Sequence, residues 1–138
     1  MGYRYLEHVT DAFVEVTGKT LEEAFENAGM AVVDTMVNLK SIDEKSEKKI
    51  NVNGKDLSEL LYNWLEAIII LTITEGFVAR RFVVELTKKE DYELKANLIG
   101  EELDFKKHQF KVEIKSPTFH LMEIKHEKEV VMRFLLDL

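Results

Sequence analysis

Residues 20–36 read Thr-Leu-Glu-Glu-Ala-Phe-Glu-Asn-Ala-Gly-Met-Ala-Val-Val-Asp-Thr-Met, and the parsing of the whole chain turns on them. Thr20 followed three residues later by Glu23 is a capping box, in which hydroxyl and carboxylate satisfy free backbone amides reciprocally. Behind it, Leu21, Ala24, Phe25, Ala28, Ala31, Val32 and Met36 recur at three- and four-residue spacing. That period predicts a helix with one buried stripe, ending near Asn38. Asp56-Leu57-Ser58-Glu59 repeats the signal, and Leu57, Leu60, Leu61, Trp64, Leu65, Ile68 and Ile69 carry a second, wider stripe. Gly54 supplies a turn between a short strand over 49–53 and this second helix, and Gly76 is its expected terminator.

Outside these helices the period falls to two. Leu94, Ala96 and Leu98 alternate with polar residues, as do Phe110, Val112 and Ile114, so each run predicts a strand with one wet face. Phe77 to Lys88 suits another strand, with Lys88-Lys89-Glu90-Asp91 as the turn that follows. Further strands are expected over 3–7, 13–17, 119–125 and 130–136, while the polar run from Lys40 to Lys49 reads as a solvated loop. The fold class is therefore α+β: a single domain over residues 1–138, with a largely antiparallel β-sheet and two main helices packed on one face. Sheet order is not contained in such patterns.

Composition removes whole classes of function. The 138 residues are 46% apolar and 33% charged with 6 Gly and 1 Pro, which describes one folded domain and not a linker or a fibre. Cys is absent, which excludes disulfides, zinc-thiolate sites, iron–sulfur clusters and thiol nucleophiles. The net charge of −7 opposes direct RNA binding, and Arg80-Arg81, Lys88-Lys89 and Lys106-Lys107 read as ordinary surface. The opening MGYRYLEH lacks the apolar core of a signal peptide, and the run Ala67 to Leu71 is far below the ~18 residues of a membrane span. A soluble, cytoplasmic protein without membrane contact is expected. Its 15 Lys to 4 Arg and 19 Glu to 7 Asp lean toward hyperthermophile composition. No glycine-rich phosphate loop, G-x-S-x-G elbow or helically spaced His pair occurs, so nucleotide-binding, serine-hydrolase and zinc-hydrolase templates fail.

The residues left for chemistry are few. His8 and Asp11 share a tight connection after the first strand, where an Asp ordinarily caps its own turn. Asp137 falls on the last strand, on one face with Val131, Arg133 and Leu135, and Leu138 follows with its α-carboxylate. Should Asp11 lie beside them, three carboxylates would converge, and only a hard cation such as Ca²⁺ or Mg²⁺ relieves that repulsion. His120 groups with Met122 and Ile124 on an apolar face and reads as a hydrogen-bonded core residue more readily than as a ligand. His108 and His126 sit among Lys and Glu and are expected to be exposed.

These pieces in this order resemble the archease family: Leu6-Glu7-His8-Val9-Thr10-Asp11, Gly18-Lys19-Thr20-Leu21-Glu22-Glu23-Ala24-Phe25, Leu60-Leu61-Tyr62-Asn63-Trp64-Leu65, Gly100-Glu101, Thr118-Phe119-His120 and Leu136-Asp137-Leu138. The chain departs from the family at Val9-Thr10, where small residues are usual, and over 125–129, where a Gly-Trp turn is common. The resemblance implies a non-enzymatic activator of the RNA-splicing ligase, raising its guanylation by GTP and its multiple turnover. It implies a metal site at Asp11, Asp137 and Leu138 for a divalent ion, Ca²⁺ foremost, with Mg²⁺ or Mn²⁺ as alternatives. The rival it carries is a chaperone-like partner of a tRNA-modifying enzyme such as a tRNA methyltransferase.

Overall fold

The computed structural model describes residues 2–7 and 10–138. His8, singled out above, lies outside them. In chain order the elements are β1 (Tyr3–Leu6), β2 (Asp11–Gly18), α1 (Leu21–Met36), β3 (Ser46–Gly54), α2 (Leu57–Ile73), β4 (Phe77–Lys88), β5 (Tyr92–Glu102), β6 (Ser116–His126) and β7 (Val130–Asp137). The expected α+β domain is present, and its strands divide into two antiparallel sheets, β1-β2-β7-β6 and β3-β5-β4.

Both helices start where their caps direct. The Thr20 hydroxyl accepts from the Glu23 amide at 3.1 Å, while the Glu23 carboxylate reaches back to the Lys19 amide at 3.2 Å. Asp56 accepts from the Glu59 amide at 2.8 Å and opens α2. Gly76, at φ +68, follows the end of α2 in a left-handed conformation that a side chain would disfavour. The α1 stripe buries Ala24, Phe25, Ala28, Ala31, Val32 and Met36, and α2 buries Leu60, Leu61, Trp64, Leu65, Ile68 and Ile69. Gly29 lets α1 approach β4, since a Cβ there would meet the Phe82 ring at 2.8 Å. The helices are tied together by Trp64, whose indole N–H donates to the Phe25 carbonyl at 2.9 Å while its ring meets Phe82 edge-on. α1 lies against β2 and β4, and α2 against β3 and β6, so each helix touches both sheets. Among the described residues no helix is long and apolar enough to cross a membrane.

Four expectations need correction. Ser46 to Lys49 belong to β3 and not to a loop, because their backbone pairs with residues 97–100 of β5 although their side chains stay wet. Charged side chains on such an edge strand discourage pairing with other chains. The alternation at Phe110, Val112 and Ile114 is not a strand. Residues 103–115 form a loop whose amides are taken elsewhere: the Asp104 carboxylate accepts from Lys106 and Lys107, and the Lys111 amide donates to the Met36 carbonyl at the end of α1. His108, expected outside, is 0% exposed. His120, expected inside, is exposed, because the β6–β7 register slips between Thr118 and Glu123 and Leu121 takes φ 60, which ends strict alternation.

Candidate functional site

The core face of the first sheet carries Val14 and Val16 of β2 with Met132, Phe134 and Leu136 of β7. Residues of the other parity point to its outer face, and the β2–β7 register sets Asp11 opposite Asp137, Phe13 opposite Leu135 and Glu15 opposite Arg133. Directly opposed residues place their side chains on one face, with Cβ atoms roughly 5 Å apart. Two aspartates far apart in sequence are thus cross-strand neighbours at one end of the sheet. On the far side of β7, Ser116 opposes Asp137, so the row reads Asp11, Asp137, Ser116. The Asp137 carbonyl accepts from the Lys115 amide at 2.7 Å, which fixes the backbone there. Leu138 turns its side chain against the core.

Farther along the same face, opposite charges alternate. Glu15 accepts from Arg4 at 2.8 Å and from Arg133 at 2.8 Å, bridging three strands. The Arg4 hydrogen bond holds the Glu15 carboxyl below its ordinary range, against burial and with help from Arg133. Like charges directly opposed, as at Asp11 and Asp137, cost stability where opposed ions contribute it.

A metal of the kind the sequence implies fits this row by donor type. Carboxylate and hydroxyl oxygens are hard ligands suited to Ca²⁺ or Mg²⁺, and a divalent cation removes the repulsion of the opposed pair. Among the described residues no group of three His, Asp or Glu side chains gathers around one point. The two carboxylates that the register brings opposite one another are those of Asp11 and Asp137. His120 is four positions beyond Ser116, within the irregular stretch between Thr118 and Glu123, and is not opposed to either aspartate.

A second charged cluster was not read from the sequence. Glu101 is buried at the end of β5. Its carboxylate accepts from the Asp43 amide at 2.7 Å, from Lys107 Nζ at 2.8 Å and from His108 at 2.9 Å. His108 Nδ1 accepts from the Asp104 amide at 3.0 Å, so the ring proton sits on Nε2 and is donated to Glu101. Burial pushes the Glu101 carboxyl up, but the bonds from Asp43, Lys107 and His108 outweigh it and hold it at about 2. With both imidazole nitrogens engaged and the ring enclosed, this cluster clasps the 103–111 loop to β5 and has no group free for chemistry. Nothing local announces it, since Glu101 and His108 are polar residues amid polar neighbours and only the loop's path brings them together.

The second sheet bears open troughs of about 480 and 560 Å³, lined by Lys49, Asn51, Glu85 and Lys95 and by Thr87, Asp91 and Glu93. Neither includes the aspartate row. Together these features define a class: a small two-sheet α+β domain that sets two carboxylates opposite one another at one end of a sheet. The chain belongs to the Archease protein family, whose model matches residues 3–138. The archease of Pyrococcus abyssi is 41% identical over 123 residues, covering 88% of this chain and 87% of that protein. That of Pyrobaculum islandicum is 36% identical over 138 residues, covering 98% and 94%. A solution structure from Methanobacterium thermoautotrophicum superposes with TM-score 0.86 at 31% identity, covering 99% of both chains. The crystal structure of a Thermotoga maritima archease, described as a possible chaperone, shares the fold with TM-score 0.61 at 19% identity over 98% of this chain and 96% of that one.

Proposed function

We propose that this protein is a non-enzymatic activator of the RNA-splicing ligase, raising its guanylation by GTP and its multiple turnover through a divalent-metal site at Asp11, Asp137 and the Leu138 carboxylate. The observation that carries this reading is the register that sets Asp11 against Asp137. Opposing carboxylates on a paired, rigid ladder are preorganised, so no loop must be ordered to bring them together. When bound, a divalent ion supplies neutralisation of phosphate oxygens, the requirement of phosphoryl transfer. Asp11 and Asp137 would hold it from two neighbouring strands, and the Asp137 side of the pair is exposed. Ca²⁺ takes about 6–8 oxygen ligands, more than two side chains and a backbone carboxylate supply, so water or a partner's groups complete the shell. Ca²⁺ is the first choice by the family resemblance, with Mg²⁺ or Mn²⁺ as alternatives.

The test is a ligase guanylation assay with and without this protein, with chelator, and with Asp11→Ala and Asp137→Ala. Stimulation by the wild type that chelator and either substitution abolish, with the melting temperature held, supports the proposal. Undiminished stimulation by both variants counts against the metal site. A residue added after Leu138 blocks its carboxylate and is expected to weaken stimulation as well. The second reading, a chaperone-like partner of a tRNA methyltransferase, is favoured by the exposed apolar residues of β6 and needs no metal. Chelator-insensitive protection of that enzyme would select it.

A further inference from the structure

β4 is an edge of the second sheet, paired with β5 alone among the described residues. A bare strand edge is a template on which another chain can pair. The Val84 amide points out along that edge, away from β5, and donates to the Glu26 carboxylate of α1 at 2.9 Å. Outward amides recur at every second residue of an antiparallel strand, so those of Phe82, Val84 and Leu86 share the edge while those of Arg81, Val83 and Glu85 turn toward β5. Glu26 is half-buried. Burial raises its carboxyl above the ordinary range, the Val84 amide opposes that rise, and Glu23 and Glu22 add to it. The carboxylate is therefore disfavoured at this place by its surroundings, the amide it holds excepted.

The outer face of β4 carries Arg81, Val83 and Glu85 in succession, all exposed, Val83 to 46%. Two antiparallel copies of the strand centred on Val83 set Arg81 of each opposite Glu85 of the other and bring the two exposed valines together, so the pattern is self-complementary in charge and in apolar surface. Arg81 now bonds Glu44 at 2.7 Å, an exposed pair that is readily exchanged. In the same register Phe82 opposes Val84 of the second copy, and two outward-facing residues so placed exchange both of their backbone bonds. That exchange needs the Val84 amide, which Glu26 occupies.

We propose that the β4 edge is a self-pairing interface for a second copy of this chain, joined antiparallel about Val83, and that Glu26 keeps it closed by occupying the Val84 amide. Freeing that amide opens the interface on both sides of the two-fold axis at once and makes one continuous sheet of two. β4 belongs to the sheet without the aspartate row, so pairing there is independent of the proposed metal site.

Sedimentation equilibrium of the full chain over a wide concentration range tests this, with the melting temperature as the check on folding. Glu26→Ala is expected to dimerise at least about tenfold more tightly than the wild type, since each removed carboxylate counts twice across the axis. Alanine favours a helix and relieves the repulsion with Glu22, so this variant is expected to fold. Glu26→Gln keeps an acceptor for the Val84 amide and is expected to behave as the wild type. In the Glu26→Ala background, Arg81→Glu is expected to weaken the dimer about tenfold by opposing like charges, and Arg81→Glu/Glu85→Arg to restore it. A folded Glu26→Ala chain that associates no more tightly than the wild type overturns the proposal, and so does Glu26→Gln associating as tightly as Glu26→Ala. A dimer that the charge reversal and its restoration leave unmoved overturns pairing through β4.

Discussion

The Glu101 cluster and the Asp11–Asp137 row are both built from carboxylates held by strands, yet they solve opposite problems. Glu101 is buried and surrounded by donors: the Asp43 amide, Lys107 and His108. Its charge is spent inside the fold, fastening a loop. Asp11 and Asp137 set negative charge against negative charge at a sheet end, on a face where the next charged row, Glu15 with Arg133, is matched in sign. The first cluster answers a buried charge with donors, whereas the register of the second gathers two carboxylates on one face of the sheet.

Several measurements break or sharpen this contrast. The largest effect is expected from Asp137→Ala, which should reduce ligase stimulation to background in the guanylation assay while the protein melts normally. Glu101→Ala should do the reverse: removing one partner of a buried ionic cluster costs about 3 kcal/mol, or roughly a 10 °C fall in melting temperature by calorimetry. The two sites also differ in acid. Because the folded Glu101 carboxyl is depressed to about 2 from an ordinary 4.5, its stabilisation is complete above pH 4.5 and is lost as pH falls from there toward 2. Chemical denaturation across that window should show a steeper decline in the wild type than in Glu101→Gln. Asp137→Asn, by relieving repulsion, should raise metal-free stability by about 0.5 kcal/mol. Millimolar Ca²⁺ should raise the wild-type melting temperature and leave that of Asp11→Ala/Asp137→Ala unmoved. Smallest of all, Arg81→Ala, which removes the exposed pair with Glu44, should change stability by less than about 0.5 kcal/mol.

What was legible in the sequence was local. Thr20 and Asp56 announce their helices because a cap and the residue three positions on suffice to define it, and Phe77–Lys88 emerged with its observed bounds because turn chemistry flanks it. The division into two sheets was not legible, since alternation names a face and never a neighbour. His108 and His120 exchanged places for related reasons: a loop path buries the first, and one left-handed residue in β6 exposes the second. Asp11 and Asp137 stood out in the sequence as carboxylates that would cluster if brought together, and the family resemblance is what raised them to a site. From spacing alone they were two turn and end carboxylates, because the β2–β7 register is a long-range property of the folded chain.

β2 and β7 lie side by side although Glu15 and Arg133, which join them, stand 118 positions apart. Contacts of such separation demand closure of nearly the whole polypeptide and form late when a chain folds. Asp11 therefore gains its opposite only once β7 has paired with β2. A chain lacking β7 would keep one carboxylate without its opposite, so the aspartate row is a property of the paired strands and of neither strand alone.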